Sequence, residues 1–235
     1  MKKKMMGLLV ALVFGSMSAL AQVNAKYCMT YDDFMDNRWV PIDSLVEGHT
    51  QQMPQLKASD DQFKIVTGDK DADGVLKKGA LVVEYAGHLY VNCRNLRCND
   101  IPLDVSNYAQ AYRYEKNKLL VVARYINGGG LLASLAGDVV ATVAPIDVAI
   151  PAAVASSAIW LSMDKLNNHY CYLLDSEANI KGKTAVTRLT DEEMEKILAK
   201  DPALLKRYQA VEKKRNRQSA SNILPVLMEK GLIKN

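Results

Sequence analysis

Alternation of apolar and polar residues predicts an antiparallel sheet built from three β-hairpins. The hairpins pair 80–85 with 88–92 across Ala86-Gly87, 112–115 with 119–126 around Asn117, and 169–175 with 183–188. In the first hairpin the turn has two residues, and its glycine accepts a positive φ. A further strand is expected over 63–67. The preceding segment 51–59 contains Gln, Pro and Ser without a period, so we expect a surface loop there.

Capping signals predict helices near both ends of the chain. Thr30 with Asp33 begins a short helix over 31–37, which ends before Pro41. Thr190 with Glu193 begins a helical tail over 190–235. Within that tail, Asp201-Pro202 starts another helix and Gly231 ends the last one.

The segment 128–161 carries only Asp138 and Asp147 as charges. Small residues recur at every fourth position, which lets another helix approach closely. They are Gly129, Ala133, Gly137 and Ala141. Pro145 and Pro151 bracket a turn, so we expect an apolar helical hairpin. We favour burial of this hairpin in the protein, and the alternative is that it lies in or inserts into a membrane.

The first 21 residues have the pattern of an export signal. Three lysines precede an apolar run from Leu8 to Phe14, and Ala19-Leu20-Ala21 forms a cleavage site. We therefore expect export to the periplasm, the outer-membrane surface or the medium. Lipid anchoring is not expected, because the first cysteine lies seven residues beyond Ala21.

Charge and composition narrow the function classes further. Removing the three lysines of the signal from a formal net charge of +4 leaves +1, which provides no electrostatic surface for nucleic acid. A content of 49% hydrophobic and 24% charged residues is typical of globular proteins and excludes intrinsic disorder. We predict an α+β fold, with a domain over 22–189 that includes the apolar hairpin and a helical tail over 190–235 packed on it.

The mature chain has four cysteines: Cys28, Cys93, Cys98 and Cys171. An even count in an exported protein indicates disulfides. Cys93 and Cys98 enclose four residues, so local closure favours that pair and leaves Cys28 for Cys171. The alternative is a set of buried free thiols. Zinc is disfavoured, because the spacing lacks paired ligands.

Asp69, Asp71 and Asp73, followed by Gly74, match the first positions of an EF-hand calcium loop. The twelfth position, which needs a bidentate glutamate, is Ala80. The segment is therefore half of a calcium site, for which we expect weak binding at most. The alternative is an Asx-rich turn without a metal, and no other cofactor is predicted.

His169 and Cys171 lie two residues apart on a predicted strand, so their side chains share one face. A Cys-His hydrolase could be built from such a pair. A thiol held in a disulfide cannot act as a nucleophile, so we favour a non-catalytic protein.

A basic cluster lies in the helical tail, downstream of four acidic residues. The cations are Lys206, Arg207, Lys213, Lys214, Arg215 and Arg217, and the acids are Asp191, Glu192, Glu193 and Glu195. Such a combination favours a salt-bridged, solvated surface. Binding of anionic lipid or phosphate is the alternative.

Three segments, 31–37 (YDDFMDN), 86–92 (AGHLYVN) and 228–233 (MEKGLI), resemble an uncharacterised family of small exported proteins from Bacteroidetes-type bacteria. The resemblance implies export and no known activity. We therefore expect a non-catalytic binding or interaction protein of the bacterial cell envelope, whose partner is an unknown envelope protein or ligand. The alternatives are a membrane-inserting protein through 128–161 and, third, a Cys-His hydrolase.

Overall fold

A computed structural model describes residues 24–46, 54–59, 62–99, 101–103, 108–115, 118–124, 148–149, 169–174, 179–180 and 183–234. The predicted export signal over 1–21 lies outside the described residues. So does the predicted apolar hairpin over 128–161, apart from Val148–Ala149, which form a short strand where the turn between Pro145 and Pro151 was expected.

The structure confirms an α+β fold with a large antiparallel sheet and a helical C-terminal region. The strands are β1 Ala25–Cys28, β2 Val40–Pro41, β3 Gln55–Ser59, β4 Gln62–Val66, β5 Val82–Tyr85, β6 His88–Asn92, β7 Leu96–Cys98, β8 Ile101–Pro102, β9 Tyr108–Tyr114, β10 Lys118–Arg124, β11 Val148–Ala149, β12 His169–Leu174, β13 Asn179–Ile180, β14 Lys183–Ala185, β15 Thr187–Arg188 and β16 Ile233–Lys234. The helices are α1 Tyr31–Met35, α2 Lys70–Lys78, α3 Asp191–Leu198, α4 Pro202–Gln209, α5 Lys214–Arg217 and α6 Ala220–Glu229. Two 3-10 turns cover Ile42–Leu45 and Cys93–Asn95.

Strand β9 organises the main sheet. On one edge it pairs with β10, which continues through β12 to β15, and Tyr108 at its start pairs with β4. Its other edge receives β6, followed by β5, β1 and β2, and also the C-terminal strand β16. β4 continues through β3 to β11. A smaller second sheet joins β13, β14, β7 and β8.

Alternate side chains of the main sheet enter separate apolar clusters. Ala111, Val121 and Tyr172 belong to a cluster covered by Tyr31 and Phe34 of α1. The neighbouring residues of the same strands enter a second cluster with the tail helices α3, α4 and α6. A third cluster lies between β5–β6, β3–β4 and α2. Burial on both faces therefore fixes the register, because a slip by one residue would exchange the faces.

The first predicted hairpin is confirmed. Ala86 and Gly87 have φ values of 50° and 81°, as a two-residue turn with positive φ at both positions requires. The second hairpin, β9–β10, is also present, and β9 begins earlier than predicted, at Tyr108. The third is partly wrong. β12 pairs with β15, whereas β14 pairs with β7 and β13 in the smaller sheet.

Both predicted helix starts are present. The Asp33 amide donates to Thr30 Oγ1 at 3.0 Å and the Thr30 amide donates to Asp33 Oδ2 at 3.1 Å, which is a capping box. Thr190 Oγ1 accepts from the Glu193 amide at 3.4 Å. The loop predicted over 51–59 is wrong in part, because Gln55–Ser59 form β3, which pairs with β4 and buries Leu56. No helix among the described residues is both long and apolar enough to cross a bilayer.

Candidate functional site

A cleft of 390 Å³ opens at one edge of β9. β6 pairs with β9 as far as Ala111, and β16 pairs with Arg113 and Tyr114. β10 pairs with the opposite edge of β9 at Ala111, Arg113 and Tyr114. β6 and β16 therefore lie on the same edge of β9, and they separate between Ala111 and Arg113. We call the opening the edge cleft. Its lining residues are Glu84, Gly87, His88, Leu89, Gln110, Ala111, Tyr112, Arg113, Glu115, Gly231 and Leu232.

Two glycines line the edge cleft at points where the chain turns. Gly87 ends the β5–β6 turn and Gly231 follows α6, and their φ values are 81° and 72°. A Cβ built on either glycine meets no heavy atom within 4 Å. The positive φ, and not crowding, therefore explains why glycine occupies both positions.

Four consecutive residues of β9 border the edge cleft, and their side chains alternate between the two faces of the sheet. Gln110 and Tyr112 lie on one face, and Ala111 and Arg113 lie on the other. Burial raises the pKa of Tyr112, so its hydroxyl stays protonated. The cleft therefore offers polar groups from both faces at the edge of one strand.

The Gln110 amide is the neutral polar group of β9 at this wall. Gln110 is only 5% exposed and lines the cleft. Its side chain carries both a donor and an acceptor, and such groups are normally completed by protein, water or a ligand. Gln110 thus places a donor and an acceptor at the wall of the cleft.

The charged residues of the edge cleft differ in whether an opposite charge lies beside them. The Glu84 carboxylate lies 3.1 Å from Lys26 Nζ, and the Glu115 carboxylate lies 3.6 Å from Lys118 Nζ. The Arg113 guanidinium lies 4.7 Å from the centroid of the Phe34 ring. Both carboxylates have a cation beside them, whereas Arg113 contacts an aromatic face.

The predicted disulfides are not formed, since all four cysteines are free thiols. Cys28 belongs to the cluster under α1 and Cys171 to the cluster under the tail helices, so the sheet separates them. Cys93 lies in a 3-10 turn, and the extended residues of β7 carry Cys98 away from it. The alternative of buried free thiols describes Cys28, Cys93 and Cys171, while Cys98 is half-buried.

His169 and Cys171 lie on one strand, β12, and both are buried, with exposed fractions of 1% and 0%. Burial raises the pKa of the Cys171 thiol. A substrate cannot reach this sulfur without opening the core, and the protonated thiol is a poor nucleophile. The arrangement therefore gives no support to a Cys-His hydrolase.

The predicted calcium segment is a helix. Asp69 caps α2, because its Oδ1 accepts from the amides of Asp71 at 2.9 Å and Ala72 at 2.8 Å. Asp73 Oδ1 accepts from the Thr67 amide at 2.6 Å. The Asp69 carboxylate thus forms the expected Asx turn, and this turn begins a helix that the sequence did not predict. Among the described residues, no group of three His, Cys, Asp or Glu side chains could hold a metal.

Three of the six cations of the basic cluster form salt bridges, the contact that its sequence favours. Arg217 binds Asp191, and Lys214 Nζ lies 3.3 Å from Glu192 Oε1. Arg207 pairs instead with Glu229 of α6, at 2.6 Å. These contacts join the tail helices to one another.

Sequence patterns missed the edge cleft, because its residues come from separate strands and form no local motif. His88 follows the first hairpin turn, Gln110 and Arg113 lie on β9, and Gly231 ends the last helix. One signal was available. The alternation over 111–115 predicts a half-buried strand with one wet face. That face is wrong, because clusters cover both sides of β9, but Arg113 is exposed as a polar residue of this pattern should be.

Residues 26–232 match the model described as "Family of unknown function (DUF6563)", so the chain belongs to that family. No curated protein and no solved structure matches the chain. Membership confirms the resemblance to an uncharacterised family, and the bacterial source and export stay predictions.

Proposed function

We propose that this chain, a member of the DUF6563 family, is an exported, non-catalytic binding protein of the bacterial cell envelope whose ligand occupies the edge cleft. The observation that carries the proposal is the edge cleft itself, whose wall brings together the amide of Gln110, a residue only 5% exposed, and the guanidinium of Arg113. A ligand with a matching polar group would hydrogen-bond to this amide.

The dimensions and chemistry of the edge cleft suit a small ligand. Its volume of 390 Å³ lies within the range of about 300 to 1,000 Å³ typical of ligand pockets. Leu89, Ala111 and Leu232 supply apolar surface, and Gln110 and His88 supply polar groups. Glu84, Arg113 and Glu115 add charged groups to this wall, so the cleft combines apolar surface with convergent polar and charged groups, as binding sites do.

The cleft also lies on a rigid part of the fold. β9 is hydrogen-bonded along both edges, and its residues 108–112 are buried. Sites built on strands hold their polar groups more accurately than sites built on loops. A ligand therefore meets a surface that is already organised, which lowers the entropy cost of binding.

Nuclear magnetic resonance tests the proposal. A set of small neutral, acidic and basic fragments is added to the ¹⁵N-labelled mature protein. We expect the amide shift changes to cluster at Gly87, Gln110 and Gly231. Gln110→Ala should weaken the fragments that bind, whereas Gln209→Ala, at an exposed position of α4, should not. Shift changes scattered over the surface, with none at the cleft, would contradict the proposal.

Fractionation tests export and the membrane alternative separately. We expect the protein outside the cytoplasm with Gln22 as its first residue. A binding protein held only by its partner is released by salt, whereas a hairpin inserted through 128–161 requires detergent. Recovery in the carbonate-washed membrane pellet would favour the membrane alternative.

A further inference from the structure

Arg113 is a positive charge at the wall of the edge cleft, and it pairs with no acid among the described residues. Glu84 lies beside Lys26 and Glu115 beside Lys118, at 3.1 Å and 3.6 Å. Arg113 contacts the Phe34 ring, and in the described part of the chain it has no carboxylate within 4 Å. The net charge offered to a ligand at this wall is therefore positive.

The Arg113 guanidinium is held in place before any ligand arrives. Its backbone lies in the sheet, opposite Leu119 on one edge and Lys234 on the other. Phe34 is 4% exposed and belongs to α1, which the Thr30–Asp33 capping box fixes. Trp39 supports the Phe34 ring edge-on, with 5.8 Å between the ring centroids. A guanidinium stacked on an aromatic face still presents its N–H groups at its edge.

We infer that the ligand of the edge cleft carries a carboxylate, which the Arg113 guanidinium binds through two parallel hydrogen bonds. The inference rests on the proposed function and names the chemical class of its ligand. The planar fork of arginine matches the two oxygens of a carboxylate. The rest of the ligand lies against Leu89, Ala111 and Leu232.

The same surroundings argue for a monoanion. Glu84 and Glu115 both line the cleft. Their charges are already paired with Lys26 and Lys118. A phosphate dianion would bring two charges to Arg113, which can neutralise one of them. A carboxylate carries one charge, which Arg113 alone can neutralise.

Three probes with the same chain and different head groups test the inference: hexanoate, hexanamide and hexylamine. Each is titrated into the ¹⁵N-labelled mature protein, and the amide shifts of Gly87 and Gly231 report occupancy. We expect hexanoate to bind at least about tenfold more tightly than the other two, as a charge-assisted pair gives. Inorganic phosphate should bind more weakly than hexanoate.

Variants assign the effect to Arg113. Arg113→Gln should weaken hexanoate about tenfold or more and leave hexanamide unchanged. Arg113→Lys keeps the charge without the fork and should show an intermediate loss. The control is Arg207→Gln, which removes an exposed arginine paired with Glu229 and should not change binding.

The outcomes separate the inference from the proposed function. Equal binding of the three probes at the cleft would overturn the inference of a carboxylate ligand, while the proposal that the cleft binds a ligand would stand. Unchanged hexanoate binding in Arg113→Gln, or tighter binding of phosphate, would also overturn it. If hexanoate does not shift the cleft amides at all, the inference fails, and the fragment set decides whether the cleft binds anything. Arg113→Lys keeps the test valid if Arg113→Gln does not fold.

Discussion

The Arg217 guanidinium binds both carboxylate oxygens of Asp191, although the two residues lie on different helices. Arg217 Nε donates to Asp191 Oδ1 at 3.1 Å and Nη2 donates to Oδ2 at 2.5 Å. Tyr208 of α4 donates its hydroxyl to Oδ1 at 2.8 Å. One carboxylate at the start of α3 thus connects α4 and the end of α5.

Asp191→Asn should therefore destabilise the protein strongly. The side chains of Asp191 and Arg217 are 8% and 20% exposed, so the substitution leaves a largely buried cation without its partner. We expect the free energy of unfolding in urea to fall by about 3 kcal/mol. Glu192→Gln is the control. It breaks an exposed pair with Lys214 and should cost no more than about 0.5 kcal/mol. Equal losses would contradict this role for Asp191.

The contribution of Asp191 should depend on pH. Hydrogen bonds from Arg217, and then from Tyr208, hold the pKa of Asp191 below its ordinary value of 3.8. A carboxyl with a lowered pKa in the folded state stabilises the protein above the unfolded pKa, and this stability is lost as the pH falls towards the folded pKa. The stability difference between wild type and Asp191→Asn should be constant near neutrality and shrink below about pH 4. A difference that grows on acidification would contradict the assignment.

Local sequence signals predicted those parts of the fold that local chemistry decides. The Ala86-Gly87 turn needs positive φ, and the Thr30–Asp33 box satisfies a helix start within four residues. Pairing between distant segments was not predicted. β14 joins the smaller sheet because its partners lie elsewhere in the chain. β3 was missed although Gln-Leu-Lys-Ala-Ser over 55–59 alternates with the period of a strand, because 51–59 was treated as one segment.

The difference between local signals and long-range pairing also explains why the candidate site was not predicted. Asp69 was considered for half of a calcium site because its spacing fits the start of a known motif. Ala72 and Leu76, four residues apart on one buried face, are the helical signal in that segment. The edge cleft has no motif. It exists because β6 and β16 meet β9 on one edge, and strand order is not written in local sequence.

Asn92 is expected to be the polar residue on which α2 most depends. It is 1% exposed, and its Nδ2 donates to the carbonyls of Leu76, Lys77 and Ala80 at 3.1 to 3.3 Å. Asn92→Leu keeps a similar volume and removes this donor from the Lys77 and Ala80 carbonyls, whereas the Leu76 carbonyl still accepts from the Tyr108 hydroxyl at 2.6 Å. We expect a loss of about 1 to 3 kcal/mol in urea unfolding, against little change for the exposed Gln209→Ala. A stability equal to wild type would show that water replaces the amide.

The thiols should differ in reactivity. Cys28, Cys93 and Cys171 are at most 2% exposed, and Cys98 is half-buried. Burial raises the pKa of Cys28 to about 12, and it also raises that of Cys98. Mass mapping after alkylation of the native protein should find Cys98 modified first, and denaturation without reductant should expose four thiols. A Cys93–Cys98 link recovered without reductant would instead support the pairing that the sequence favours.

The stability of Gly74→Ala distinguishes a helix from a calcium loop over 69–80. In the structure Gly74 lies inside α2, and a Cβ built on it meets no heavy atom within 4 Å. Gly74→Ala should then raise the free energy of unfolding by about 0.4 to 1 kcal/mol, because alanine restricts the unfolded chain and fits the helix. In a calcium loop the same glycine forms the sharp turn, so alanine would destabilise the protein.

Two measurements complete this test. Gly87→Ala is the matched control, because its surroundings are equally open and its φ of 81° disfavours alanine, so it should be destabilised. Calcium at millimolar concentration should not raise the melting temperature of wild type, since Asp69 and Asp73 already accept hydrogen bonds at the start of α2. A calcium-dependent rise that Asp71→Ala abolishes, together with a destabilising Gly74→Ala, would show that the segment binds the metal as a loop. If calcium has no effect and Gly74→Ala stabilises the protein, the segment is a helix. Only in a helix does alanine at position 74 raise the free energy of unfolding without calcium.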